Sequence, residues 1–143
     1  IGKVRSIMKE NMYALQNDCI KFGDVIICGS RCWSVPGCPD FSDADEKIYK
    51  REAERLRLSF NEVAKIREDG DKVIALIHYP PFDVLRRPSL FTDIFEENKV
   101  DAVVYGHLHG KNVKADKLVY KNGIKYYLTS CDQVDNKLTE IVF

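Results

Sequence analysis

Apolar positions along the chain switch between helical and strand periods. In "KVRSIMKENMYALQ", Val4, Ile7, Met8, Met12 and Leu15 fall at helical spacing, which predicts a short amphipathic helix over 3–16. "CIKFGDVIICGS" then reads as two short strands about a Gly23-Asp24 turn, with Val25–Cys28 apolar throughout. "RCWSVPGCPDFSD", with two prolines, a glycine and small polar residues, reads as a loop. From about Asp43 to Glu68 the helical period returns. Tyr49, Ala53, Leu56, Phe60, Val63 and Ala64 form one apolar stripe, and lysines and arginines fill the other faces. Ser42 with Asp45, or Asp43 with Glu46, suits a capping box at its start, and Asp69-Gly70-Asp71 ends it. "KVIALIH" is a continuous apolar strand, the pattern of a sheet covered by helices on both faces. The three prolines of "YPPFDVLRRP" require a loop. Ser89–Lys99 reads as a short helix with Leu90, Phe91, Ile94 and Phe95 inward, and "VDAVVYG" as the next buried strand. "KLVYKNGIKYYLTSC" reads as a hairpin turning at Asn122-Gly123, and "LTEIVF" as a last strand.

No repeat, low-complexity tract or linker divides the chain, and 143 residues is the length of one domain, so residues 1–143 are expected to form a single α/β domain. Lys plus Arg equals Asp plus Glu, 22 against 22, so no net field steers the chain to nucleic acid or to a membrane surface. No apolar run approaches the roughly 20 residues a bilayer demands. Five cysteines (Cys19, Cys28, Cys32, Cys38 and Cys131) are an odd set without a repeated CxxC. That favours reduced thiols and a cytoplasmic location over a disulfide framework. Cys28, Cys32 and Cys38 could enter a zinc site, but buried or half-buried thiols are the simpler expectation.

The chemistry concentrates in the histidines. The chain has three: His78 ends the strand "KVIALIH", and His107 and His109 sit in "VVYGHLHG". Strand, loop, helix, strand is a βαβ unit, so the two strands should be parallel neighbours whose following loops emerge at one edge. That edge is where open α/β sheets hold ligands. Neutral imidazoles gathered there suit zinc, manganese, iron or nickel. Gly106 and Gly110 would let the backbone turn sharply and approach a ligand, with Leu108 packing elsewhere. A single strand-end histidine is ordinarily a hydrogen-bonded structural residue; it is "GHLHG" together with "HYPPF" that favours metal binding.

"IHYPPF" followed about 30 residues later by "VVYGHLHG" resembles the C-terminal half of the calcineurin-like metallophosphoesterases. "VIICGSRCW" resembles a strand and loop of small bacterial members of the predicted phosphohydrolase type. The resemblance implies the C-terminal portion of a four-layer α/β-β/α sandwich with mixed sheets. It implies a phosphomonoester or phosphodiester hydrolase whose two divalent ions (Mn, Fe, Zn or Ni) activate a bridging hydroxide. Carried over by position, His78 and His107 would bind one ion and His109 the other. Arg31, after a strand, and Arg86, in the loop after His78, are candidate contacts for a phosphate ester substrate.

The earlier family motifs (Asp-x-His, Gly-Asp with its bridging aspartate, Gly-Asn-His) do not occur here, and Gly23-Asp24 lies in a predicted turn. The expectation is therefore a C-terminal part of the domain lacking the N-terminal metal-binding motifs, with the catalytic histidine upstream of Ile1. Such a chain would bind metal weakly, turn over poorly and tend to self-associate through exposed sheet edges. Two other readings stay open: a non-catalytic module of the same fold, and a single zinc held by all three histidines and water.

Overall fold

A computed structural model describes residues 1–143. The elements run α1 (Gly2–Arg5), β1 (Cys19–Phe22), β2 (Val25–Ser30), α2 (Asp43–Ile66), β3 (Lys72–Ile77), α3 (Leu90–Glu97), β4 (Ala102–Tyr105), β5 (Leu118–Lys121) and β6 (Ile124–Leu128). One six-stranded mixed sheet has the order β1-β2-β3-β4-β6-β5. β2, β3, β4 and β6 are parallel, and β1 and β5 are added antiparallel at the edges. The β5–β6 turn uses the expected Asn122-Gly123, both at positive φ (50° and 82°), as a two-residue hairpin of matching twist requires.

α2 begins where the sequence places it. The Asp45 carboxylate accepts from the backbone NH of Ser42 at 2.9 Å, which closes the first turn. Its apolar stripe packs on β1 and β2 and against α3. Tyr49, Leu56, Phe60 and Val63 meet Phe91, Ile94 and Phe95 over a sheet face made of Ile26, Cys28, Val73, Ala75, Val103, Tyr105 and Tyr126. Tyr49 sets α3 directly: its ring meets Phe91 edge-on at 5.1 Å, and its hydroxyl accepts from the Leu90 NH at 2.6 Å. Ala64 is exposed, whereas Glu52 and Ser59, which share the stripe's spacing, are buried. Ser59 is satisfied by donating to the Gly29 carbonyl at 2.8 Å, and Glu52 by the guanidinium groups of Arg31, Arg51 and Arg55.

Three expectations give way. The helix over 3–16 is only Gly2–Arg5; Ile7 stays exposed, and the Arg5 guanidinium ties the following loop together by donating to the Ala14 carbonyl at 2.7 Å and to Asp18. A short amphipathic stripe without a surface to cover does not hold a helix. The last strand is not formed. The tail instead crosses beside β6, where the Tyr127 hydroxyl and Lys125 Nζ reach the Val142 carbonyl at 2.9 and 3.1 Å. The sheet, finally, carries its helices on one face only. Ile74 is half-buried and Leu76 is 39% exposed on the other, and Leu118 and Tyr120 of β5 are open as well. The apolar run of β3 thus faces a layer of helices on one side and an uncovered surface on the other.

Candidate metal centre

Loops leaving the C-terminal ends of β2, β3 and β4 are stitched together before any side chain is considered. The His78 and Tyr79 amides both donate to the Arg31 carbonyl, at 3.1 and 3.2 Å, and the Gly106 amide donates to the His78 carbonyl at 3.2 Å. This fixes His78 and His107 on adjoining strand ends. His107 Nδ1 and His78 Nε2 stand 3.1 Å apart. The turn that brings His107 in is left-handed at the histidine itself, φ 69°, and is closed by the Leu108 NH on the Gly106 carbonyl at 2.8 Å. Gly106 is not at positive φ, and a Cβ there would meet only Ser130 Oγ at 3.6 Å, so the sharp turn expected of Gly106 falls on its neighbour. Gly110 does take the left-handed region, φ 105°.

Aromatic contacts brace the His107 ring. It lies 4.1 Å from Tyr79, Tyr79 lies 4.8 Å from Trp33, and the indole NH of Trp33 donates to Asp45 Oδ1 at 2.8 Å. The row therefore runs from the cap of α2 to the imidazole. Burial, then the neighbouring His78 and His109, push the His107 pKa down, which favours the neutral ring that ligates metals.

His109 belongs to a second group. Its Nδ1 is 2.7 Å from Asp132 Oδ1, while the Gly110 amide donates to Asp132 Oδ2 at 2.7 Å and Gln133 Nε2 donates to the Gly110 carbonyl at 3.0 Å. The Gly110 amide is the main cause, against desolvation, of an Asp132 carboxyl held down at about 2; His109 and Gln133 add to it. Cys131 is exposed beside this pair, and the donor atoms of His109, Cys131 and Asp132 lie within 4.8 Å of one another. Asp132 was not among the candidate residues of the sequence, where it directly follows the stretch read as a hairpin. The available signal was a carboxylate just past a strand that pairs parallel with β4, hence at the same sheet edge.

The donors fit divalent ions. Two nitrogens 3.1 Å apart match neighbouring ligands on one ion with bonds of about 2.1 Å. Asp132 accepts the hydrogen bond of His109 Nδ1–H and leaves Nε2 with its lone pair free, the arrangement that orients metal-bound imidazoles. The three imidazoles do not form one tight cluster, so a single zinc held by all of them is not built. Cys28 and Cys32 are buried, with thiols pushed up by desolvation, and they form no donor cluster with Cys38.

The arginines are placed differently. Arg31 is 4.5 Å above the Trp33 ring and paired with Glu52 at 3.4 Å. Arg86 is paired with Asp116 and lines a cleft that also contains His107.

A family model described as calcineurin-like phosphoesterase matches residues 12–111, which includes all three histidines. The chain belongs to the calcineurin-like phosphoesterase family. Its six-stranded mixed sheet agrees with the α/β fold of that family, whose members typically bind divalent metals and hydrolyse phosphoesters. Asp132 lies beyond the matched segment of this phosphoesterase chain. No curated protein and no solved structure matches it. None of its helices is long and apolar enough to cross a membrane.

Proposed function

We propose that His78, His107 and His109 are metal ligands of a phosphoester hydrolase centre, His78 and His107 toward one divalent ion and His109 toward a second. The observation that carries this is the 3.1 Å separation of His107 Nδ1 from His78 Nε2, with His109 held apart on Asp132. The ions would supply a bound hydroxide and neutralise charge developing on phosphate oxygens. Around them, the aromatic row holds His107, Asp132 fixes the tautomer of His109, and Arg86 flanks the approach beside Tyr79. Arg31 supports the His78 loop through its carbonyl.

Asp132 is the one carboxylate grouped with a histidine, and it is engaged by Gly110 and His109. Two dications require more negative ligands than that. We therefore propose that the chain carries the C-terminal part of the centre, and that the remaining ligands and the catalytic histidine come from an N-terminal part of the same domain. By itself it should bind manganese or zinc weakly and hydrolyse an activated phosphodiester poorly. Its open edges, β1 and β5, should favour self-association. The test combines metal titration by calorimetry with turnover of bis-(p-nitrophenyl) phosphate, for the chain alone and preceded by its upstream coding segment. Restored turnover in the longer chain, abolished by His107→Ala, is expected. A longer chain that binds two ions but never turns over would leave a non-catalytic module of this fold.

A further inference from the structure

Two depressions stand out among those on the surface, at opposite ends of the sheet's strands. The larger, about 430 Å³, lies by Asp101, Asn122 and Phe143, and has no histidine or cysteine in its wall. The other, about 300 Å³, opens beside His107 and Tyr79, between the loops that follow β2, β3 and β4. Its volume is at the lower end for small-molecule sites, and its place at the strand ends is where α/β sheets take ligands.

The walls of this second cleft are mainly apolar: Pro80, Phe82, Tyr105, Leu108, Ala115 and Val119. Its acids are largely neutralised from within. Asp83 is buried and paired with Arg87 at 2.5 Å, and Asp116 is paired with Arg86 across the mouth. Only Asp40 and Lys114, both exposed, remain unpaired among its charged lining residues. A charged group would lose hydration in such a cleft and find only the exposed Asp40 or Lys114 as a partner, whereas a ring or short apolar chain would bury surface against Phe82 and Leu108. One wall is the imidazole of His107, so a group seated there has its polar end at the histidines.

We propose that this cleft holds the organic group of the phosphate ester, an apolar group about the size of an aromatic ring, with Phe82, Leu108 and Ala115 setting that preference. The proposal rests on the reading of the histidines as a phosphoester centre, and it narrows the substrate class to aryl or similarly apolar phosphate esters.

Trp33 is the single tryptophan and packs against Tyr79 of the cleft wall at 4.8 Å, so its fluorescence reports occupancy. The protein, with zinc present, is titrated with phenylphosphonate, methylphosphonate and benzyl alcohol. Phenylphosphonate should bind about tenfold tighter than methylphosphonate. Ala115→Phe and Ser34→Phe, which fill the cleft from two different loops, should each erase that difference; two positions guard against one variant misfolding. Equal affinity for the two phosphonates overturns the cleft proposal and leaves the metal centre standing. Binding of benzyl alcohol but of neither phosphonate, at zinc concentrations that calorimetry shows to saturate the protein, keeps the apolar site and overturns the phosphoester reading instead.

Discussion

His109 Nδ1 stands 2.7 Å from Asp132 Oδ1, and the other oxygen of that carboxylate takes the Gly110 amide at the same distance. One aspartate thus fixes both the ring and the backbone of the second histidine loop. In Asp132→Ala the ring loses its acceptor, and the His109 proton should move from Nδ1 to Nε2. Long-range proton–nitrogen NMR of the imidazoles reads this directly. Zinc affinity should fall by about tenfold to a hundredfold in the same variant. An unchanged tautomer would mean that Asp132 does not orient the ring.

His107 holds its left-handed backbone at φ 69° without the freedom of glycine. For an L-residue that conformation costs about 1–2 kcal/mol. His107→Gly and His107→Ala remove the same imidazole but differ in this strain. Urea denaturation should find the glycine variant more stable than the alanine variant by about 1 kcal/mol. The reverse order would show that the loop is not strained at this residue.

Gly29 of β2 leaves no room for a side chain beside Leu76 of β3. A Cβ there would lie 1.8 Å from the Leu76 carbonyl oxygen, a backbone atom that cannot swing away. Gly29→Ala should cost about 3 kcal/mol or more. Gly70→Ala meets open space and only the strain of φ 92°, so it should cost about 1 kcal/mol. Circular dichroism against urea compares the two; similar losses would contradict the close approach.

Asp83 connects stability to pH. Burial raises its pKa, but the amide and guanidinium of Arg87, with the Leu85 amide, outweigh this and hold it below the usual carboxylate range. A depressed folded pKa means that its stabilisation is complete above the unfolded value of about 4 and is lost as pH falls through the folded one. Asp83→Asn should lower the urea midpoint at neutral pH and make its fall below pH about 4 shallower. Parallel curves for the variant and the parent would refute the assignment.

Much of this fold was readable from residue order. The Ser42–Asp45 cap, the Asn122-Gly123 turn and the βαβ unit that sets His78 beside His107 are local signals, and each formed as read. What escaped depended on partners distant in sequence. The stripe over 3–16 had helical spacing but no surface to cover. Glu52 and Ser59 occupy stripe positions yet are polar, and their burial rests on the guanidinium groups of Arg31, Arg51 and Arg55 and on the Gly29 carbonyl. Asp132 was hidden for a similar reason: it meets His109 only because β6 lies parallel to β4, a pairing that follows from β5 stepping to the sheet edge.

Helices on one side only leave β3 and β5 written in two dialects. At Val73, Ala75 and Val103, under the helices, a polar substitution must disrupt the core. Leu76, Leu118 and Tyr120 lie on the side without helices and are open to water in part, yet the residues are large and apolar. Tolerance at those three positions therefore measures context: harmless changes mark a bare surface, and intolerance in a longer form of the protein would locate the layer that lies upon it.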